Sequence, residues 1–433
     1  MAPHDIRRPF KRPAISDQQK RRDLSLLRQN QNRRDAQHQA RCLASTVLSL
    51  PNQNSEPVPE DLELLPELEI NEGGAQFSEA EAQLSETQHP SSSRDLDIRH
   101  ASKLRGPEVR KWFAKQLMLP EWMIDVPDRL NVDWYVFARP SGKRCFVVSL
   151  NGTTISRLRN GSLLHRFPSA LPNGSRKKGG GSGQSYTILD CIFHELDQTY
   201  YVIDMVCWAG VSFYECTAEF RFFWLNNKIL ETGACEAPSQ YHRYRFSLLT
   251  IYNCDYEGLN TAYTGSVPYV KDGLAFYNKN AHYQIGNTPL ALVWKDENCS
   301  QYVIDTDGKG QIPHQQQIAL ELQGDGKLTT SDDPPVVFGC LNKEFIEKSE
   351  LHPGNLLRFA VSEGGLNFLD GKLEKADLQY LGKVNRARAF ADTYSKVVFQ
   401  HMVRHSPLRI EHLFESVSSS YDQDEVHDVE MVV

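Results

Sequence analysis

The sequence predicts an α+β fold with mainly antiparallel β-sheets, preceded by a long basic helix and a disordered linker. Three observations predict it. Short runs rich in Val, Ile, Phe and Tyr, broken by turn residues, fill the middle of the chain. A basic segment without Pro or Gly runs from Ser16 to Leu50. Between the two lies an acidic stretch too polar to fold alone. The 433 residues leave room for two or three domains. No apolar run approaches the roughly 18 residues of a membrane span. The basic, proline-interrupted residues Met1–Arg12 have no apolar stretch behind them, so no secretory signal is expected. Nine cysteines without a C-x-x-C pair point to reduced thiols, a soluble intracellular protein and no structural zinc.

The basic helix comes first. Residues 1–41 carry eleven Lys/Arg against four Asp. Ser16 with Gln19 three residues on forms a capping box, and a helix from Ser16 to Ala44 measures about 43 Å. Its apolar positions, Leu24, Leu27, Ala36, Ala40 and Leu43, are too few and small to fold it alone, so it needs an acidic partner. Leu and Ala interleaved with Arg favour a protein groove over nucleic acid, because phosphate binding does not require them. Residues 51–90 then hold ten acids and no Lys or Arg. Blocks of one sign mark interaction segments outside a packed core. The expected domains are a basic helix (1–50), an acidic linker (51–106), a ligand-binding domain (107–365) and a C-terminal helix with an acidic tail (366–433).

A helix over Pro107–Met118 leads into the folded part. Strands are expected at Trp134–Phe137, Cys145–Leu150, Tyr186–Phe193, Thr199–Val206, Phe220–Leu225, Leu274–Asn278 and Leu290–Trp294. Ser175–Ser185 (SRKKGGGSGQS) reads as a mobile loop; it lacks G-x-x-x-x-G-K-[ST] and is not a phosphate loop. Further strands are expected at Val336–Leu341 and Leu356–Val361. Lys372–His405 shows helical spacing, with Leu378, Leu381, Val384, Ala387, Phe390 and Tyr394 on one face packed on the domain.

Several unusual strings occur in order: LMLPEWMIDVP (117–127), GKRCFVV (142–148), YTILDCIFHELDQTYYVIDMVCWAG (186–210), FRFFW (220–224) and DGLAFYNK (272–279). In these strings and its basic arm the chain resembles the snurportin family, adaptors that carry spliceosomal small nuclear ribonucleoproteins into the nucleus by their trimethylguanosine cap. The resemblance implies a domain similar to the nucleotidyltransferase domain of mRNA capping enzymes and ligases. It implies an importin-β-binding helix over residues 4–44, with Arg21, Arg22, Arg28, Arg33, Arg34 and Arg41 meeting acids. For the cap it implies stacking on Trp294, with Trp122 at the base edge carrying the N2 methyls. Lys143, Arg144, Cys145, Leu225, Lys295, Asp296 and Glu297 match contact positions, and Arg159 aligns with a phosphate-reaching lysine.

The same resemblance argues against catalysis. Where capping enzymes have K-x-D-G-x-R, this chain has Arg139-Pro140-Ser141-Gly142-Lys143-Arg144. Arginine stands at the nucleophile position and offers no neutral amine, since its pKa exceeds about 12. Serine replaces the aspartate, Asp190-Cys191-Ile192 lacks the carboxylate of D-G-E, and Val293-Trp294-Lys295 keeps one lysine of K-x-K. No enzyme, cofactor or metal is expected. The implied partners are trimethylguanosine-capped RNA, importin-β and an exportin, in a protein shuttling between cytoplasm and nucleus without membrane contact. The alternative is a binder of the general 7-methylguanosine cap or of RNA 5′ ends. Pro120 stands where the family has a serine, and Lys295-Asp296-Glu297 is more acidic than the family pattern. Leu62, Leu65, Leu68 and Ile70 follow Φ-x-x-Φ-x-x-Φ-x-Φ and suit a hydrophobic groove on an export receptor.

Overall fold

The computed structural model describes residues 17–29, 36–50, 107–175, 185–307, 310–369, 372–384 and 390–418. Arg33, Arg34, the linker with Leu62, Leu65, Leu68 and Ile70, most of the Ser175–Ser185 loop and the acidic tail lie outside these residues. The fold is mixed α+β with mostly antiparallel sheets.

The first sheet has the order β1-β12-β11-β2-β10, built from Met118–Trp122 (β1), Trp134–Pro140 (β2), Tyr252–Asn253 (β10), Lys271–Asn278 (β11) and Gly286–Trp294 (β12). β1 runs parallel to β12, and the other pairs are antiparallel. The second sheet holds Lys143–Leu150 (β3), Thr153–Leu158 (β4), Leu163–Phe167 (β5), Thr187–His194 (β6), Thr199–Trp208 (β7) and Val211–Ser212 (β8) in the order β5-β4-β3-β6-β7-β8. Arg245–Leu248 (β9) joins β7 in parallel. One core lies between the two sheets: Phe137, Ala275 and Tyr277 of the first meet Phe146, Ile188 and Ile192 of the second. Strands buried on both faces, such as β6 and β7, read as unbroken apolar runs, which is why the sequence located them.

Phe220–Leu225 corrects an expected strand. It lies within a helix, Ala218–Glu231, capped by the Thr217 hydroxyl, which accepts from the Phe220 N–H at 3.3 Å. Ala218, Phe222, Leu225 and Ile229 are buried at helical spacing. Arg221, on the same helix, is fully buried and grips Asp204 of β7 through Nε and a terminal nitrogen, each at 2.8 Å.

A third sheet follows: Gln317–Leu322 (β13), Lys327–Thr329 (β14), Val337–Cys340 (β15), Leu356–Leu369 (β16) and Lys372–Lys383 (β17). Its order is β15-β14-β13-β16-β17, with a short helix, Lys343–Lys348, between β15 and β16. β15 also packs on β17, closing a five-stranded barrel of the OB type. The helix expected over Lys372–His405 is therefore corrected: its first third is β17, and among the described residues helix appears at Tyr394–His405. The boundary expected at 365/366 falls inside β16. Ile410–Ser418 forms a last helix.

In the basic arm the described residues form Gln18–Gln29 (α1) and Ala36–Ser49 (α2), and residues 30–35 between them lie outside the described residues. Its acidic partner is the folded domain itself. Arg21 forms an ion pair with Glu121, and Arg22 contacts Asp125 at 2.8 Å. Ala40, Leu43, Ala44, Val47 and Leu50 are buried in the main core. Arg157 of β4 holds the end of α2 by donating to the carbonyls of Val47 and Leu50, both at 2.6 Å.

Candidate ligand-binding cleft

The strand alternation of β12 decides which side chains reach the site. Val293 and Lys295 enter a cleft of about 380 Å³. Trp294 points the other way, into the core with Leu274 and Phe276. The cleft is further lined by Leu119, Pro120 and Trp122 of β1 and its flank, by Arg139, Arg144 and Arg159, and by Asp272. Segments beyond the first two sheets complete it: Ser331 follows β14, and Phe390 to Thr393 with Lys396 precede and open the helix Tyr394–His405.

Among the described residues, each cation lining the cleft except one has a carboxylate. Asp272 forms ion pairs with both Arg139 and Lys295 and accepts from the Ser300 hydroxyl at 2.8 Å. Against the cost of burial, the two cations hold its carboxyl below the usual range. Gly273 explains its placement. At φ +95° the chain passes so close to β12 that a Cβ would lie 2.6 Å from the Trp294 carbonyl oxygen. The β11–β2 register shifts there, between Lys271 and Leu274. Burial lowers the Lys295 pKa, and its ammonium sits 5.5 Å from the centroid of the Trp122 ring. Arg144 is held bidentately by Asp190 at 3.0 and 2.8 Å and donates to the Met118 carbonyl at 2.6 Å. Lys396 contacts Asp305 at 2.5 Å and Asp392 at 2.9 Å.

Arg159 differs. Among the described residues no ion pair joins it to a carboxylate; its Nε donates to the Ala114 carbonyl at 3.4 Å, and its guanidinium lies 3.9 Å from the Phe390 ring centroid. Burial, with Arg144 nearby, pulls its pKa down to about 10. A desolvated cation without a counter-ion is costly and is relieved by an anion. The cleft is thus built to accept a negatively charged group.

The structure brings Trp122, Arg139, Arg144, Arg159 and Lys295 together, and separates the other candidates from them. Trp294, expected to stack a base, is 0 % exposed, and its indole N–H donates to the Leu408 carbonyl at 2.8 Å. Cys145 and Leu225 are buried in the core on the outer face of the second sheet, and burial pushes the Cys145 thiol well up. Lys143 lies outside the cleft, paired with Glu195 at 2.6 Å. Asp296 builds a turn, accepting from the N–H groups of Asn298 and Cys299 and from the Tyr263 hydroxyl. Glu297 is exposed and outside the lining. Of the arm residues, Arg21 and Arg22 face the domain, while Arg28 and Arg41 are exposed. Asp272, Phe390 and Lys396 were not foreseen as site residues. Asp272 stood in the DGLAFYNK string; the other two carry no local signal.

Fold and cleft together define a binding domain with a cationic ligand site. Residues 116–295 match the family model described as "Snurportin1, m3G cap-binding domain". Over these residues the chain is similar to that family. Among solved structures it is similar to "mycobacterial DNA ligase D complexed with ATP and MES", at 11% identity over 65% of this chain and 98% of that one, with a TM-score of 0.31. It is also similar to the ligase domain of M. tuberculosis LigD, at 12% identity over 63% and 95% of the chains, with a TM-score of 0.30. A third similarity is to a Lig E DNA ligase, at 13% identity over 62% and 99%, with a TM-score of 0.28.

Proposed function

We propose that the protein binds the 2,2,7-trimethylguanosine cap of small nuclear RNA in this cleft and acts as a nuclear import adaptor rather than an enzyme. The observation that carries the reading is Arg159, a half-buried cation that no carboxylate pairs with among the described residues, beside Arg144 and Arg139 and within the stretch matched to the cap-binding family. The cap's triphosphate supplies the missing negative charge. Its N7-methylated base is cationic and favours an aromatic face, and its N2 methyls favour the apolar Leu119, Pro120 and Val293. Against group transfer stands Arg139, which has no neutral amine to attack a phosphate and is tied to Asp272.

Arg159→Gln is expected to weaken binding of a trimethylguanosine-capped dinucleotide by about 10- to 150-fold, the loss of a charge-assisted hydrogen bond worth roughly 1.5–3 kcal/mol. A fluorescence titration reads it. Unchanged affinity removes the cleft from cap recognition. Equal wild-type affinity for monomethylated and trimethylated caps selects the general-cap alternative. A covalent guanylate adduct after incubation with labelled GTP and Mg²⁺ overturns the non-enzymatic part.

The import half of the proposal assigns the arm to importin-β, with Arg28 and Arg41 as the exposed first contacts. Arg21 and Arg22 join only after leaving Glu121 and Asp125. Charge reversal at Arg28 and Arg41 is expected to reduce importin-β retention in a pull-down, with the wild-type interaction weakening as salt rises. Retention unchanged by both reversals and by salt removes the arm from this role. Shuttling between cytoplasm and nucleus, with an exportin engaging Leu62–Ile70, completes the proposal.

A further inference from the structure

The burial of Trp294 leaves the cleft without the stacking surface that the sequence points to. Two other aromatic side chains line it, Trp122 and Phe390. Trp122 already packs on Phe399 with ring centroids 4.9 Å apart, and the Lys295 ammonium sits over its ring. Phe390 is half-exposed and lies far beyond the matched residues 116–295. Its ring carries the guanidinium of Arg159, so a planar cation rests there in the absence of ligand.

The backbone just after Phe390 is held by the barrel. The Asp392 N–H donates to the Ala319 carbonyl at 2.8 Å, and the Asp392 carboxylate accepts from the Ala319 N–H at 2.8 Å. The Ser331 N–H donates to the Asp392 carbonyl at 3.1 Å, and the Tyr394 N–H donates to the Asp332 carboxylate at 2.6 Å. Thr393 then caps the helix that follows. A side chain set on so constrained a segment is pre-organised for a ligand.

We infer that Phe390 is a ligand-contact residue, and that the base of the bound cap lies against its ring while Arg159 turns to the phosphates. This rests on the cap-binding reading above. It makes the site composite: the matched domain supplies Arg139, Arg144, Arg159 and Lys295, and Phe390, just ahead of the next helix, supplies the aromatic face. An N7-methylated guanine is, like the Arg159 guanidinium, a planar delocalised cation, and an aromatic ring attracts both in the same way.

The test titrates the full-length protein and its Phe390→Ala, Phe390→Leu and Phe390→Trp variants with trimethylguanosine-capped and unmethylated GpppG dinucleotides, with melting temperatures in parallel. Phe390→Ala is expected to weaken the methylated cap about 5- to 150-fold, the range of base–aromatic stacking. Phe390→Leu keeps the apolar volume and should lose a similar factor, guarding against simple misfolding. Phe390→Trp should bind as well as the parent or better. The loss should be larger for the methylated than for the unmethylated ligand, because only the former carries the charge. Unchanged affinity in Phe390→Leu with a native melting temperature overturns the inference and leaves the cap reading standing. Equal losses for both ligands overturn it too, since a merely structural role affects them alike. A wild-type protein that binds no capped dinucleotide overturns both.

Discussion

Arg221→Met is expected to destabilise the folded chain by about 3–5 kcal/mol, read as a lower denaturant midpoint. The guanidinium and the Asp204 carboxylate are both fully buried. Four hydrogen bonds satisfy the arginine: two to Asp204, and two from one terminal nitrogen to the carbonyls of Cys216 and Ala281, at 2.6 and 2.9 Å. Removing it strands a carboxylate inside the protein and unties the Ala218–Glu231 helix from β7. Replacing both partners with apolar residues should recover part of the loss, because most of it is the penalty of an unpaired buried charge. A single variant as stable as the parent would show that water reaches the pair.

Leu43→Ala is expected to cost about 2–5 kcal/mol, the range for truncating a buried leucine. Leu43 is 0 % exposed and belongs to the same core as Phe137 and Phe146. A merely tethered arm would leave the midpoint unchanged, so equilibrium unfolding of this variant measures whether α2 is part of the folded unit. It also bears on receptor pull-downs. Deleting residues 1–44 removes much of α2 and uncovers apolar surface, so such a deletion disturbs the fold as well as the arm. Charge reversal at Arg28 disturbs the fold least, whereas Arg41 also hydrogen-bonds Tyr186 of the core.

Much of this architecture was legible in the sequence because the central strands are buried on both faces, and their Val, Ile, Phe and Tyr runs have no other use. The errors have physical causes. In Phe220–Leu225 consecutive aromatics imitate a strand, although Phe223 is 64 % exposed and the buried positions follow the helical period. In Lys372–Lys383 the spacing of Leu378 and Leu381 imitates a helix, yet Ala376, Leu378 and Tyr380 alternate toward the barrel core while Leu381 is exposed. The arm's apolar positions are too few and small to fold it alone, and the sequence does not show that the domain itself receives them. Small residues at Ala40 and Ala44 let α2 seat closely in the core, an outcome that a count of large apolar residues does not register. In the cleft, the cations of the matched region were found through family strings. Trp294 lies on the core face of its strand; a string match fixes a position in the chain but not the face of the strand. Phe390 and Lys396 arrive through the barrel's topology, which no local motif announces.

The anchoring of α2 changes what the stretch from 51 to 106 has to do. Leu50, at one end, is held by Arg157, and at the other end the helix Pro107–Ala114 contacts α2. Both ends therefore close on the same core rather than on two separate bodies. The entropy of closing a chain segment grows only with the logarithm of its length, so doubling it costs about 0.6 kcal/mol. Stability is then nearly indifferent to how many residues the stretch contains. Length and composition there are left free to answer to other demands, such as displaying short recognition segments beside a folded domain.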